Sequence, residues 1–262
     1  MIEKGQVKID VGDGAAIPSP DDKGMVSAWW IALVGTVAII AALALFKPDP
    51  YLEILAFVPD GILVTFKVTI MSILLAIVIG LLTGLGRISK NPAVNLIASL
   101  YVEVVRGIPL LVQLFYIYFA LGRIVQVPDI VAAVIAMAIC YGAYMGEVFR
   151  AGIESIDHGQ SEAARSLGFN NRQTMIYVIL PQAWRTILPP VGNEFIALLK
   201  DTSLVSILAV SDMLRRGREF AAESFDYFET YTMIALIYLT ITLILSKLIS
   251  IMEYRLSRYE HR

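Results

Sequence analysis

The amino-acid sequence predicts an all-α protein, a polytopic bundle of about six transmembrane helices. Of its 262 residues 57% are hydrophobic and only 17% charged, where a soluble domain has about a quarter charged. Uncharged apolar runs of bilayer length recur along the chain. These runs are continuous rather than alternating, which selects helices over the strands of a barrel.

The first 28 residues are polar and mix Asp10, Asp13, Asp21 and Asp22 with Lys4, Lys8 and Lys23. They lack the basic start and short apolar core of a secretory signal, so a retained cytoplasmic tail is expected. Trp29 to Phe46 carries no charge over 18 residues. At about 1.5 Å per residue this spans roughly 27 Å, enough for the hydrocarbon layer. Val68 to Gly86 is the second run, and Gly107 to Gly122 the third, its helix starting near Leu96. Ile130 to Gly146 is the fourth. The fifth lies between Ile187 and Val210, interrupted by Glu194, Lys200 and Asp201, and Thr230 to Ser246 is the sixth. Pro109, Pro189 and Pro190 are expected to break helical hydrogen bonding locally and bend their spans.

Lysine and arginine set the orientation. With the N-terminus inside, the inner segments hold Lys4, Lys8, Lys23, Arg87, Lys90, Arg150, Arg165, Arg172, Arg185, Arg255, Arg258 and Arg262. The outer segments hold Lys47, Arg123, Arg215, Arg216 and Arg218. Twelve against five places both termini in the cytoplasm.

Residues 157–181 are too polar to span and read as two short helices. Asp157 can cap the first, with Gln160 three residues on. Ala163, Ala164 and Leu167 share its face, and Gly168 stands where a helix stops. Asn170 can cap the second, with Gln173 three residues on and Pro181 near its end. So short a helix is marginal alone in water. It either packs on its own bundle or docks on another protein, and the residues alone leave both open.

A resemblance bears on that choice. Glu162-Ala163-Ala164, Gly168 and Leu180-Pro181 resemble the EAA motif of the membrane subunits of ABC importers, with Val178 where isoleucine is usual. Residues 101–113, 142–153 and 193–204, with Gly159-Gln160, are similar to segments of the polar amino-acid branch, the histidine, glutamate, glutamine, arginine and opine permeases. The similarity covers roughly residues 60–255, leaving 29–46 as an additional helix and 256–262 as a cytoplasmic tail. It implies that Asp157, Gly159, Gln160, Glu162, Ala163, Ala164, Arg165, Leu167 and Gly168 dock on a cytoplasmic ATPase. It further implies a second permease subunit, identical or related, and an extracytoplasmic binding protein that delivers a polar amino acid to a bacterial inner-membrane pore.

Ionisable residues inside a bundle are functional candidates. Lys200 falls near mid-bilayer on the expected fifth span, where it can face a carboxylate or pair structurally with Asp201. Thr202 and Ser203 add hydroxyls, and Glu194 is a further candidate for the pathway. Glu103 and Arg106, and again Glu147 and Arg150, stand three residues apart on one helix face. They read as structural or gating ion pairs. Cys140 lies alone in an apolar run, with no metal-ligand pattern around it. No G-x-x-x-x-G-K-[ST], HExxH or GxSxG stretch occurs. An enzyme is not expected, nor a cofactor on this chain; ATP and Mg are expected on the partner ATPase. An ion- or proton-coupled secondary transporter is the alternative, but no inverted repeat supports it.

Overall fold

A computed structural model describes residues 28–124 and 127–257. The expected N-terminal tail and most of the C-terminal one therefore lie outside the described residues. Eleven α-helices are described: α1 (Ala28–Phe46), α2 (Pro48–Phe57), α3 (Pro59–Arg87), α4 (Pro92–Gly107), α5 (Leu110–Ile124), α6 (Asp129–Glu154), α7 (His158–Ser166), α8 (Asn171–Thr174), α9 (Leu180–Asp201), α10 (Met213–Ser224) and α11 (Tyr227–Ser257). Among the described residues α1, α3, α6 and α11 are each long and apolar enough to cross a membrane. α4 and α5 reach that measure together, as a pair bent by 108°.

This differs from the six expected spans, and α9 accounts for the difference. It begins at Leu180 rather than Ile187 and ends at Asp201, followed by a 3-10 turn, Thr202–Leu208. Arg185, Glu194, Lys200 and Asp201 leave it less apolar than the other long helices. Nor does Pro181 end a separate second helix. α8 runs through a π-helical turn, Met175–Ile179, directly into α9. Proline has no N–H to give, and its ring crowds the carbonyl one turn back. The widened turn relieves that crowding, and Gln182 Nε2 bonds Val178 O at 2.8 Å. Pro189 and Pro190 sit inside α9, which continues through them to Asp201.

The bundle is organised around α3 and α6, its most extensive helix pair. Ser72 lies against Val134, Gly80 against Met145 and Gly84 against Phe149, so the two helices run in the same direction. Gly80 and Gly84 on one face Gly142 and Gly146 on the other half of the seam. An added Cβ at Gly142 would lie 2.6 Å from Ile79 Cγ2, and one at Gly84 2.8 Å from Gly146 O. Small residues four apart let membrane helices approach closely, and packing is the main force between them there. α9 runs back along α6, with Ile187 beside Gly152 and Asp201 beside Tyr141.

Sequence reading placed a bend at Pro109, and the structure shows what holds it. Residues Gly107 to Pro109 leave the carbonyls at the end of α4 without helical donors. Gln113, nearly buried on α5, sends Nε2 to Val105 O (2.5 Å) and Ile108 O (2.6 Å). Its Oε1 accepts from Cys140 Sγ at 3.0 Å. Gln113→Leu is therefore expected to cost about 2–4 kcal/mol through two orphaned carbonyls, read as a lowered thermal midpoint in detergent.

Two ends of the bundle are distinct. At one, α2 and α10 pack on the starts of α3 and α11 through Tyr51, Ile54, Val58, Met213, Phe220, Met233 and Ile234. Arg216 bonds Asp60 there at 3.2 Å. About 43 Å away along the 29 residues of α3 lies the end that carries α7 and α8. α1 lies antiparallel on α11. Trp29 Nε1 donates to Leu243 O at 2.9 Å, and Lys47 pairs with Glu229 at 3.3 Å.

Asp212 caps α10, its carboxylate accepting from Leu214 N (3.2 Å) and Arg215 N (3.0 Å). Burial is the largest influence on this carboxyl and pushes it up from its ordinary 3.8 to about 6, with the cap hydrogen bonds and Arg215 opposing. The folded value exceeds the unfolded one. The stabilisation is thus full below the unfolded value and lost as pH rises through about 6. Asp212→Asn keeps a cap oxygen, so it should flatten the fall in thermal midpoint between pH 4 and 7.

Candidate functional site: a polar cavity and a protruding elbow

α7 stands at the loop end of the bundle. Asp157 Oδ1 accepts from Gly159 N at 2.6 Å, and a Cβ at Gly159 would stand 2.7 Å from that same oxygen. Glycine there leaves room for the cap. At the other end Gly168 has φ +89°, with Gly168 N bonded to Arg165 O (2.9 Å) and Phe169 N to Ala164 O (3.1 Å). That pair of bonds is the Schellman closure, which needs a left-handed residue. Asn170 and Gln173 form the reciprocal cap of α8.

The expected alanine face is corrected in one respect. Ala164 is buried against the protein, while Ala163 and Leu167 are exposed, Leu167 by 80%. Residues four apart share a helix face while adjacent ones stand about 100° apart around it, so Gly159, Ala163 and Leu167 form the free stripe and Ala164 turns toward the protein. Glu162 and Arg165 flank it, both exposed. Gln160 does not reach back to its cap. Its Oε1 accepts from Gln182 Nε2 at 3.3 Å, tying α7 to α9.

Immediately before this elbow, Glu147 accepts from both Arg87 of α3 and Arg150 of its own helix, and Arg150 also bonds Glu154. The expected Glu103–Arg106 pair does not form. Glu103 lies 3.8 Å from Arg87, and the Arg106 guanidinium sits over the Tyr144 ring, 5.5 Å from its centre. Helical spacing allows a pair but does not oblige it when another helix offers a partner. The charges thus tie α3, α4 and α6 together about two turns before α6 ends and the chain turns into α7.

The second feature is a cavity of about 290 Å³ lined by Leu110, Tyr141, Tyr144, Glu194, Ala197 and Asp201. Tyr141 donates its hydroxyl proton to Asp201 Oδ2 at 2.7 Å. The Tyr141 and Tyr144 rings stand 5.8 Å apart. Of the pathway candidates, Glu194 and Asp201 meet here. Lys200 is exposed elsewhere on α9, roughly 100° from Asp201 around the helix. Thr202 is buried and bonds Leu199 O at 2.7 Å, and Ser203 is half-buried outside the lining. Sequence reading did not single out the two tyrosines. Their adjacency to Glu194 and Asp201 arises only when α6 and α9 pack.

Membrane-crossing helices around a polar cavity, with a capped elbow standing out at one end, define the membrane-embedded part of a transporter. The chain belongs to the family described as "Binding-protein-dependent transport system inner membrane component", whose model matches residues 76–258. It is 38% identical over 198 residues to a probable glutamine ABC transporter permease protein of Bacillus subtilis, covering 74% of this chain and 91% of that one. An L-cystine transport system permease protein of the same organism is 40% identical over 201 residues, covering 76% and 86%. The crystal structure of an amino acid ABC transporter with histidines superposes with a TM-score of 0.74 at 41% identity, over 78% of this chain and 96% of that one. An inward-facing methionine ABC transporter shares the fold at 18% identity, with a TM-score of 0.64 over 76% and 98%. The protein is therefore a multi-pass membrane permease of the ABC importer class.

Proposed function

We propose that this permease forms half of the pore of an ATP-driven importer of polar amino acids. The relatives that suggest the substrate are named for glutamine and cystine. The observation that carries the mechanism is the free stripe Gly159, Ala163 and Leu167 on a helix fixed at both ends. Such a helix offers a groove on another protein a small, capped knob, and Gln160–Gln182 transmits the push to α9. The Glu147 network, directly upstream, carries it to α3 and α4. ATP and Mg bind the partner ATPase. A second permease subunit completes the pathway, and a binding protein delivers substrate at the end bearing α2 and α10. That assignment puts α7 and both termini in the cytoplasm of the inner membrane, in agreement with the charge count.

Reconstitution tests the reading. The permease is expected to co-purify with an ATPase and to take up amino acid only with ATP inside the reach of that subunit and receptor on the opposite side. Uptake driven by an ion gradient without ATP would overturn it.

A further inference from the structure

We infer that α10 is a hinged plate at the receptor end of the permease, latched from beneath by a buried polar knot around Asp212, and that a proton on Asp212 keeps the latch shut. The inference takes the receptor end from the pore reading above and adds a regulation to it.

The hinges come first. Among the described residues Ala209 (φ 64°) and Phe225 (φ 65°) are the two non-glycine residues with positive φ, and they bracket α10. Residues with a side chain rarely take this left-handed conformation, and strain of this kind gathers in switch regions. Phe225 is 76% exposed, so packing of its ring does not hold it there. The plate itself has two faces. Met213, Gly217, Phe220 and Ala221 are buried, whereas Arg218, Ala222 and Glu223 are exposed.

The latch joins four elements. Asp212, Thr65 and Thr202 are each fully buried. Met213 N donates to Thr65 Oγ1 of α3 at 3.1 Å, and Arg215 Nη1 to Ser206 O of the 3-10 turn at 3.4 Å. The Tyr238 hydroxyl of α11 is buried and closes no hydrogen bond among the described residues. It nevertheless stands close enough to Thr65, Thr202 and Asp212 to interact with each. An ionised Asp212 carboxylate is the acceptor that this hydroxyl lacks. The cation acting on Asp212 is Arg215 of its own helix. Asp60 of α3 is engaged by Arg216 instead, and α2 brings Tyr51, Ile54 and Val58 to the apolar cluster around Met213. Thr202 is one peptide bond from Asp201, which lines the pathway cavity, so the knot ties α10 to the pathway.

Lifting α10 lets water reach Asp212. The hydrated carboxyl then returns from about 6 toward 3.8, so the seated plate holds the proton more tightly. Seating is favoured most below 3.8, and that advantage is lost as pH rises through about 6. The seated-to-lifted ratio changes by at most about hundredfold over the whole interval.

The test is hydrogen exchange on the permease–ATPase complex in lipid nanodiscs between about pH 5 and 8, corrected for the intrinsic pH dependence of amide exchange. Protection of α10 is expected to fall about tenfold across that range while α3 and α6 stay protected. Asp212→Asn imitates the protonated acid and should keep α10 protected throughout. Tyr238→Phe removes a donor to the ionised carboxylate and should move the midpoint of the response to higher pH; a tyrosine that only fills space would leave it unmoved. That shift decides the matter should Asp212→Asn fail to give a monodisperse complex. ATP hydrolysis stimulated by the binding protein, taken relative to the rate without it, should rise over the same range in the native complex and lose that dependence in Asp212→Asn. Protection of α10 that does not change with pH, a change that survives Asp212→Asn, or an opening that takes α3 and α6 along overturns the inference. Receptor-stimulated hydrolysis that persists in that case leaves the pore reading standing. Its absence at every pH removes the pore reading, while exchange still decides the hinge.

Discussion

Gly80→Leu is expected to leave no folded permease in the membrane. A Cβ at this position would fall 2.2 Å from Met145 Cβ and 2.8 Å from Met145 C. The second of these is backbone, so no rotamer change relieves it. The helices must move apart, and the contact that moves is the largest in the bundle. Overpacking in a core typically costs 1–3 kcal/mol when side chains can adjust. Here the backbone of α6 must yield, and the loss extends along Gly84, Gly142 and Gly146, so the cost exceeds about 3 kcal/mol. In a bilayer no hydrophobic force between helices compensates for lost packing. The measurement is the yield of monodisperse protein from membranes, with thermal midpoint where any survives. Gly35→Leu is the control. It lies on α1 with nothing within 4 Å of its added Cβ, and it should behave as the native chain does. Native yield for Gly80→Leu would mean that α3 and α6 do not pack at this distance.

The glycines illustrate what a sequence does and does not disclose. Their spacing, Gly80 to Gly84 and Gly142 to Gly146, is visible in the letters as a small-residue repeat. Which repeat faces which is not, because that depends on the relative placement of two helices more than fifty residues apart. The charge pairs show the same boundary. Glu147 and Arg150 were legible from spacing alone and do bond. Glu103 and Arg106 have that spacing but found partners on other elements, Arg87 and Tyr144. Local rules thus read the caps at Asp157 and Asn170, the stop at Gly168 and the break at Pro109. They overstated the independence of residues 170–181, where a π-helical turn lets the chain keep coiling past Pro181. For the cavity, sequence reading found Glu194 and Asp201 as misplaced charges in an apolar run. It also favoured Lys200, because hydropathy reports depth in the membrane and not the direction in which a side chain leaves its helix.

Gly168→Val should abolish coupled uptake while leaving the bundle assembled, a separation that distinguishes α7 from the glycine seam. Gly168 has φ +89° and open space around it. The penalty for valine is therefore conformational rather than steric, roughly 1–2 kcal/mol. A β-branched residue is a strong outlier in that region. The bundle is indifferent to so local a cost, since its core lies elsewhere. For α7, nine residues long, it is decisive, because a helix of that length has little stability of its own. Losing the Schellman bonds at Arg165 and Ala164 frees Leu167 and dissolves the stripe. Uptake is expected to fall more than tenfold, with the thermal midpoint within a few degrees of native. Gly168→Asn should retain much of the uptake, since asparagine tolerates the left-handed region best among non-glycine residues. Glu162→Lys supplies the complementary case. Glu162 is exposed and its side chain pairs with nothing described in this chain, so stability should change by no more than about 0.5 kcal/mol. Uptake should nevertheless drop, because the reversed charge is presented to the partner. Equal uptake by Gly168→Val and Gly168→Asn would show that the left-handed closure does not matter to transport. Native uptake in Glu162→Lys would remove α7 as the surface through which an ATPase moves the bundle.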